Sequence, residues 1–266
     1  MATGASISFQ DVSIHLSGQT IVSNIDFSID AGEFVCLLGP SGCGKSTLLN
    51  AIAGFIPVQG RLLLGGKPIR GPGHDRGVVF QNSEALFPWL TAIENVEYGP
   101  RIRGISAADR LDMSRYYLDL VGLGQAADKF PAELSGGMRQ RLQIARVLVN
   151  EPSVILMDEP FGALDAQTRE VMQYEVDRIW RATRSTIVFV THDINESILI
   201  ADRVITMTTG PEARLKTIVP IKLARPRDET DSGFVAIHRE LRDDIATEVS
   251  KVLRQQGLQT AREHAG

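Results

Sequence analysis

Residues 34 to 47 read FVCLLGPSGCGKST, and this stretch decides the fold. It opens with the continuous apolar run Phe34–Leu38, which is typical of a strand buried on both faces of a parallel sheet. Gly39 to Ser46 then fit the spacing G-x-x-x-x-G-K-[ST]. The apolar residues that follow are spaced as in a helix. A buried strand, a glycine-rich loop and a helix in this order predict a phosphate-binding loop.

The chemistry expected of this loop follows from its residue types. Backbone N–H groups would surround a β-phosphate, Lys45 would add a cation toward the β- and γ-phosphates, and the Ser46 hydroxyl would hold Mg²⁺. Thr47, in the first helical turn, would reach the α-phosphate. The alternative is a chance match, which the flanking strand and helix disfavour. The predicted nucleotide-contacting residues are Gly39, Pro40, Ser41, Gly42, Cys43, Gly44, Lys45, Ser46 and Thr47.

Two further buried strands end in polar residues. Val154–Met157 is followed by Asp158 and Glu159, and Thr186–Val190 is followed by Thr191 and then His192. In α/β sheets, ligands bind at the carboxyl ends of the strands. We therefore expect Asp158 to hold Mg²⁺, Glu159 to polarise an attacking water and His192 to contact a γ-phosphate. Solvated acids and a structural histidine are the alternatives.

Residues 134 to 146, LSGGMRQRLQIAR, form an unusual start to a predicted helix. Ser135 could be an ordinary N-cap, and Gly136 with Gly137 an ordinary turn. However, bare backbone at a helix N-terminus is also what an anion needs for close approach. The segment therefore raises the possibility of a second phosphate-contacting site.

The rest of the chain is organised around these motifs. Ile7–Leu16 and Ile21–Ile29 alternate as half-buried strands do, Arg61–Ile69 resembles a hairpin, and Ser106–Val121 is predicted to be helical. Strands alternating with helices indicate an α/β fold with a parallel sheet, as one large domain or one domain with a small lobe. Residues 211 to 231 are polar and contain prolines, which predicts a loop, and a terminal amphipathic helix follows.

Composition excludes several classes of protein. The chain has 266 residues, is 43% hydrophobic and 23% charged, and carries a formal net charge of −4, which argues against nucleic-acid binding through bulk charge. Its apolar runs are too short to cross a bilayer, and its start lacks the pattern of a secretory signal. Two cysteines, Cys36 and Cys43, make no disulfide framework or common metal spacing, so we expect a reduced cytoplasmic setting.

Taken together, the motifs resemble those of the ATP-binding-cassette (ABC) ATPases. GPSGCGKST, LSGGMRQR, VILMDEPFGALD and the pair Thr191-His192 occur in that family's order, and Gln81 matches its Q-loop. The resemblance covers Ile7 to Met207. It implies a P-loop NTPase core at 1–210 with an antiparallel β subdomain and a helical subdomain at about 82–150 that carries LSGG. The C-terminal loop and helix at 211–266 would pack on this core.

The resemblance also implies roles and a dimer. ATP and Mg²⁺ would lie between two head-to-tail copies, with the Ser135 and Gly137 end of one copy donating to the γ-phosphate held by the other. Leu16 stands where the family usually has an aromatic residue against adenine, and modification of the Cys43 thiol is expected to hinder ATP binding. The implied catalytic residues are Glu159, His192, Gln81 and Lys45; the metal ligands are Ser46, Gln81 and Asp158; Gly136 and Asp165 also line the nucleotide.

The biological role implied by the resemblance is that of an importer motor. GPGHDRGVVFQ and the RPRD at Arg225–Asp228 resemble the nitrate, sulfonate and taurine branch. Phe87, Pro88, Trp89 and Leu90 would form an exposed apolar dock for a transmembrane permease, or alternatively a local core staple. The protein would then sit at the cytoplasmic face of the inner membrane, with a solute-binding protein as an indirect partner. Soluble ABC ATPases acting on nucleic acid or ribosomes, and exporter ATPases, are the alternatives.

Overall fold

The computed structural model describes residues 4–80, 85–162 and 164–255. Gln81, predicted above to be a catalytic residue and metal ligand, lies outside the described residues. The chain divides into two compact units. The first consists of Met1–Ala5, Asp30–Glu33 and Pro72–Val188, and the second of Ser6–Ile29, Phe34–Gly71 and Phe189–Gly266.

An antiparallel sheet in the second unit confirms the predicted hairpins. Its strands are β1 (Ile7–Leu16), β2 (Gln19–Ile29), β4 (Gln59–Leu64) and β5 (Lys67–Pro68), in the order β2-β1-β4-β5. The β1–β2 turn is tight because Ser17 and Gly18 both have positive φ, which brings Leu16 opposite Gln19. Buried residues alternate along β1 in two runs, joined by an irregularity in the register.

The second unit also contains the strand that leads into the predicted phosphate loop. This strand, β3 (Phe34–Leu38), is buried along its whole length, as its apolar run predicts, and pairs in parallel with β9 (Arg203–Met207). Leu38, its last residue, lies opposite Thr206. The other elements of the unit are α1 (Lys45–Ala53), α6 (Ile194–Ile200), β10 (Leu215–Pro220) and α7 (Ser232–Gln255).

The expectation of a loop over residues 211 to 231 is wrong for its first half. Leu215–Pro220 forms strand β10, antiparallel to β9. Its sequence, LKTIVP, buries only Val219, so it lacks the alternation that marks a half-buried strand. The partner strand β9 supplies the ladder, which local sequence cannot reveal. The predicted terminal helix is present as α7, with Phe234 and Leu241 buried; the domain boundary at residue 210 stays a prediction.

The first unit contains most of the helices. Strands β6 (Arg76–Val79) and β7 (Val154–Asp158) pair in parallel. Between them in sequence lie α2 (Ala92–Ile102), α3 (Ala107–Leu120) and α4 (Gly136–Leu148), and α5 (Ala166–Thr183) follows β7. Strand β8 (Thr186–Thr191) begins in this unit and ends in the other. Across the described residues, every helix is too short or too polar to cross a bilayer.

Candidate functional site

The predicted phosphate loop connects β3 to α1 in the second unit. Gly42 and Gly44 both have a left-handed backbone, with φ of 81° and 89°, which glycine adopts without strain. A Cβ atom on Gly44 would lie 2.7 Å from Cγ2 of Val22 on β2, so this position has no room for a side chain. Gly44, one of the two glycines that the pattern requires, is therefore also required by the backbone and packing of this loop.

The N-terminus of α1 lacks the side-chain cap that five other helices have. Its N-cap residue is Gly44, with no side-chain hydrogen bond to the first turn and no acidic residue in that turn. By contrast, α2 to α6 are capped by the side chains of Thr91, Ser106, Ser135, Asp165 and Asp193. An uncapped helix N-terminus after a glycine-rich loop suits a phosphate, since its N–H groups and dipole favour an anion. The residues present therefore fit a nucleotide phosphate.

Lys45 is folded back across this loop. Its side chain is 5% exposed, and its ammonium group donates to the carbonyl oxygens of Gly39 at 2.7 Å and Pro40 at 3.0 Å. These bonds satisfy a buried cation with neutral acceptors. Phosphate oxygens, which are charged, are stronger acceptors for the same donors. Lys45 is therefore held beside the predicted anion site by contacts that it can exchange.

Cys43 is 1% exposed, with its sulfur 3.8 Å from the ammonium group of Lys45. Burial raises the pKa of the thiol, although Lys45 opposes that rise. Reactivity belongs to the thiolate, and a buried thiol of raised pKa is seldom ionised near neutral pH. The geometry favours a packing role over the expected sensitivity to thiol modification.

The two acidic residues lie at the end of β7 in the first unit. Asp158 is the last residue of the strand, and both it and Glu159 are half-buried. Glu159 has φ of 42°, an uncommon backbone conformation for a residue with a side chain. Such strain is concentrated at functional sites, where it aims a side chain at its target. Asp158 and Ser46, the first residue after Lys45 in α1, both offer the oxygen ligands that Mg²⁺ prefers.

The LSGG segment forms the start of α4, where the sequence allows either an ordinary helix cap or a second phosphate-contacting site. Ser135 is the N-cap of α4, and its hydroxyl accepts a hydrogen bond from the N–H of Met138 at 3.3 Å. A Cβ atom on Gly137 would lie 2.6 Å from Cγ2 of Thr168, at the start of α5. The capping interpretation is thus correct for Ser135, and Gly137 is required by packing. Ser135 engages the N–H of Met138, so the first-turn N–H groups that suit an anion are those of Gly136 and Gly137.

Packing at Gly137 joins two of the predicted site segments. Asp165 is the N-cap of α5, accepting from the N–H of Thr168 at 3.0 Å, and this lowers the pKa of its carboxyl. Thr168 is also the neighbour of Gly137. The N-termini of α4 and α5 therefore lie together in the first unit.

His192 follows the buried end of β8 in the second unit and is itself exposed. The residue before it, Thr191, is buried, donates from its hydroxyl to Glu196 and accepts from the N–H of Asp193. These bonds fix the backbone on both sides of His192. The imidazole is therefore presented at the end of the strand on a rigid turn.

Leu16, at the predicted adenine position, is half-buried at the end of β1. The neighbouring His15 is exposed, with one ring nitrogen 3.0 Å from the Thr20 hydroxyl and the other 3.0 Å from the Gln59 amide oxygen. His15 thus joins the β1–β2 turn to β4, which leaves Leu16 as the apolar side chain of this strand end.

Three arginines of α4 that could suggest a nucleic-acid face are engaged with the protein. Arg139 donates to the carbonyl of Leu134 at 2.6 Å and Arg141 to that of Val121 at 3.2 Å. Arg146 donates to the carbonyl of Ala85, and its guanidinium lies 4.7 Å from the centre of the Phe87 ring. All three guanidinium groups are therefore used in contacts within the protein.

The predicted apolar dock is only partly exposed. Trp89 is 70% exposed and Pro88 is exposed, but Phe87 and Leu90 are half-buried. Phe87 packs on Tyr98 with ring centres 4.4 Å apart. The expectation that all four residues form an exposed strip is therefore wrong, because Phe87 is held by Tyr98 and by Arg146. Phe87 is packed locally, as the core interpretation predicts, and the adjacent Trp89 is exposed, as the docking interpretation predicts.

Sequence reasoning missed Asn95, the residue that fixes this loop. It is fully buried, accepts from the N–H of Phe87 at 2.9 Å, and donates to the carbonyls of Phe87, Leu90 and Thr91. The sequence does indicate that a helix begins directly after this loop, because Thr91 and Glu94 form a capping box at the start of α2.

The RPRD segment also has a role that its sequence did not reveal. Arg227 donates to the carbonyls of Ile198, Leu199 and Ala201 at the C-terminus of α6, and Arg225 donates to that of Ile200. Cations at a helix C-terminus satisfy its unpaired carbonyls and favour its dipole. RPRD therefore closes α6, the helix that follows His192.

Comparison with known proteins shows which family the chain is similar to. The family model described as ABC transporter matches residues 22–162. A Methanocaldococcus jannaschii protein named as an uncharacterised ABC transporter ATP-binding protein is 45% identical over 88% of this chain and 87% of its own length. The bicarbonate transport ATP-binding protein CmpD of Synechocystis is 47% identical over 79% of this chain and 75% of its own. The nitrate import ATP-binding protein NrtD of Synechococcus elongatus is 45% identical over 78% of this chain and 76% of its own length.

Two solved structures share the fold. CbiO1 of Clostridium perfringens, part of the transporter complex CbiONQ, has a TM-score of 0.77 at 25% identity and covers 95% of this chain and 98% of its own. The second is a dimeric ATP-binding cassette in a post-hydrolysis state, bound to ADP and Pi. It has a TM-score of 0.70 at 30% identity, and the match covers 82% of this chain and 100% of that structure's chain.

The fold and the phosphate loop define a P-loop nucleotide-binding protein. The chain belongs to the ABC transporter family, as one of its ATP-binding and ATP-hydrolysing members. Its likeness to CmpD and NrtD confirms the resemblance to the importer branch that the motifs indicate.

Proposed function

We propose that the protein is the ATP-hydrolysing subunit of a membrane importer for a small solute such as nitrate, bicarbonate, a sulfonate or taurine. The similarity to CmpD and NrtD over more than three quarters of the chain carries this proposal. The protein would act at the cytoplasmic face of the membrane as a peripheral subunit. A separate permease would form the pathway, and a solute-binding protein would deliver the solute.

The residue roles follow from the chemistry of phosphoryl transfer to water. The loop Gly39–Thr47 would bind the triphosphate, and Lys45 would exchange the carbonyls of Gly39 and Pro40 for phosphate oxygens. When bound, Mg²⁺ supplies positive charge at the β- and γ-phosphates, and Ser46, Asp158 and Gln81 would hold it. Glu159 would accept a hydrogen bond from the attacking water, and His192 would contact the γ-phosphate.

A second copy would complete each site. At the N-terminus of α4, Ser135 and Gly136 are exposed and Gly137 is buried against Thr168. The exposed start of this helix suits the γ-phosphate of ATP bound by a head-to-tail partner. Asp165, at the neighbouring helix start, would face the same nucleotide. The dimeric ADP-bound neighbour supports this arrangement. Leu16 would then pack against adenine as an apolar surface.

The exposed Trp89 supports a permease partner. A large aromatic side chain that is 70% exposed on a loop fixed by buried Asn95 is typical of a protein–protein anchor. CbiO1, a structural neighbour, belongs to a transporter complex. A soluble role on nucleic acid or ribosomes is disfavoured, since Arg139, Arg141 and Arg146 are engaged with backbone carbonyls. An exporter motor would use the same chemistry and is disfavoured by the similarity to import proteins.

The test is purification of the tagged chain from detergent-solubilised membranes of its own host. The proposal predicts co-purification of a permease, and ATPase activity of the complex that rises with a cognate solute-binding protein and its solute. Recovery of nucleic acid or ribosomes in place of a membrane protein would contradict it. Recovery of a permease that needs no solute-binding protein would favour the exporter alternative.

A further inference from the structure

A buried carboxylate on the C-terminal helix α7 is connected to the phosphate loop through one short segment. Glu248 is 1% exposed, and its Oε2 accepts from the backbone N–H of Thr209 at 3.0 Å and from the Thr209 hydroxyl at 3.3 Å. Its Oε1 lies 2.7 Å from the ammonium of Lys251 and 3.2 Å from that of Lys216. Both carboxylate oxygens are therefore engaged, and one of them holds backbone.

The segment that Glu248 holds lies against the phosphate loop. A Cβ atom on Gly210 would be 3.7 Å from the carbonyl oxygen of Gly42, and a Cβ atom on Gly39 would be 3.5 Å from the carbonyl oxygen of Met207. Residues 207 to 210 thus run beside the loop, near its first residue and near its middle. An added Cβ atom would already be in van der Waals contact across the gap, so a shift of this segment changes the space beside the loop.

The far end of the same segment is hydrogen-bonded to β2, which also lies beside the loop. The N–H of Ala213 donates to the carbonyl of Ile21 at 2.9 Å, and the N–H of Glu212 donates to that of Thr20 at 3.1 Å. Val22, in the same stretch of β2, is the residue that a Cβ on Gly44 would meet. The phosphate loop is therefore bordered both by β2 and by residues 207 to 210, and these two borders are hydrogen-bonded to each other through residues 212 and 213.

A second carboxylate of α7 fixes the strands that flank the segment. Asp244, one helical turn before Glu248, accepts from the hydroxyls of Thr206 at 2.6 Å and Thr217 at 3.2 Å, and lies 3.2 Å from the ammonium of Lys216. This contact anchors β9 and β10 to α7. Of the two carboxylates, Glu248 is the one that bonds the segment beside the loop.

We infer that Glu248 is a positioning residue for ATP binding: by holding the backbone of Thr209 it keeps Gly210 against Gly42 and so preserves the shape of the phosphate loop. The inference rests on the proposed role of residues 39 to 47. Glu248 lies outside the family's sequence motifs, on a helix that those motifs do not cover. It acts through Thr209 and Gly210 and does not itself contact nucleotide.

The test compares variants of Glu248 with the exposed Glu240 on the same helix. Glu248→Ala should raise the dissociation constant of Mg-ADP and the KM for ATP about tenfold, equal to about 1.4 kcal/mol, while kcat at saturating ATP stays within about twofold. Glu248→Gln retains an acceptor for the Thr209 N–H and should restore affinity to within about threefold of wild type, whereas Glu248→Asp is too short and should resemble the alanine variant. Glu240→Ala should match wild type.

Two further measurements test the inference: hydrogen exchange of the phosphate loop in the Glu248 variants, and ATP binding by the loop variant Lys45→Ala. Amides of residues 39 to 44 should exchange faster in Glu248→Ala than in Glu240→Ala. If Glu248→Ala does not fold, the Asp and Gln variants carry the comparison. Should Lys45→Ala weaken ATP binding about 10- to 100-fold while all Glu248 variants bind like wild type, the inference is overturned and the site stands. Should Lys45→Ala bind ATP normally, the proposed site itself is wrong.

Discussion

The ammonium group of Lys45 donates a hydrogen bond to the carbonyl oxygen of Gly39, six residues earlier, at 2.7 Å. The side chain thereby spans the loop that it belongs to, from the first residue of α1 to the end of β3. A cation held on neutral carbonyls is ready to transfer to charged phosphate oxygens without changing its place in the fold.

Lys45→Ala is therefore expected to weaken ATP binding about 10- to 100-fold, because it removes a charge-assisted contact to phosphate. Lys45→Arg should not restore it, since a planar guanidinium does not fit a space shaped around an ammonium. Isothermal titration with Mg-ATP measures both. Binding by Lys45→Ala at wild-type affinity would place the nucleotide elsewhere.

The contact between Gly137 and Thr168 separates a packing role from a phosphate role. Gly137→Ala places a methyl group 2.6 Å from Cγ2 of Thr168, so we expect it to destabilise the fold by about 1 to 3 kcal/mol. Thr168→Ser removes that Cγ2 and keeps the hydroxyl. The double variant should recover the stability lost by Gly137→Ala, as measured by urea unfolding.

ATPase activity of the same double variant tests the second role. If the Gly137 backbone also contacts the γ-phosphate, activity should stay below that of Thr168→Ser after stability has been restored. Full recovery of both properties would reduce Gly137 to a packing residue.

Trp89 can be tested against an aromatic residue of equal exposure. Trp89 is 70% exposed and Tyr174, on α5, is 67% exposed. Trp89→Ala should leave the fold and nucleotide binding intact and weaken permease binding by about 2 kcal/mol or more, whereas Tyr174→Ala should bind the permease normally. Pull-down of the assembled complex at graded salt and detergent compares the two. Equal effects of both variants would remove Trp89 from the interface.

Glu248 should also affect how the free energy of unfolding changes as the pH is lowered. Burial alone would raise the pKa of its carboxyl, but hydrogen bonds from Lys251, Thr209 and Lys216 outweigh burial and lower the pKa from 4.5 to about 2. A carboxyl with a lowered pKa in the folded state contributes stability above its unfolded pKa and loses it as the pH falls toward the folded value.

Between pH 7 and about pH 3.5 the wild type should therefore lose about 1.5 kcal/mol more stability than Glu248→Gln, which has no proton to bind. Urea unfolding at the two pH values measures this, and the other carboxyls cancel in the comparison. An equal loss of stability in the two proteins would contradict the lowered pKa.

The sequence predicts best where one local pattern has one structural solution. Phe34–Leu38 forms a strand over the same residues that the apolar run marks, and Ser135 begins α4 where its cap predicts. The candidate site residues at strand and helix ends were predicted because they fit a known spacing. This spacing was informative without tertiary contacts.

Contacts between distant parts of the chain could not be predicted. Strand β10 forms because β9 offers it a ladder, and the four hydrogen bonds of Asn95 are visible only once the loop before α2 is folded. Likewise, Glu248 reaches Thr209 across 39 residues, and Arg227 reaches α6. Each of these polar residues looks like solvated surface in sequence, and only its partners distinguish it.

The central claim is that two copies enclose ATP, each supplying what the other lacks. Glu159→Gln should bind ATP normally and lower turnover by about two to four orders of magnitude, through loss of the general base. In this background, ATP should not be consumed, so the closed dimer should accumulate. Ser135→Arg added to it places a bulky cation at the α4 N-terminus and should prevent closure while nucleotide binding persists.

The most direct measurement is the molar mass of Glu159→Gln by sedimentation, with and without Mg-ATP, alone and with its permease. The proposal predicts monomers without nucleotide, dimers with ATP, and monomers again when Ser135→Arg is added. A Glu159→Gln protein that binds ATP and yet stays a single chain under all of these conditions would contradict it.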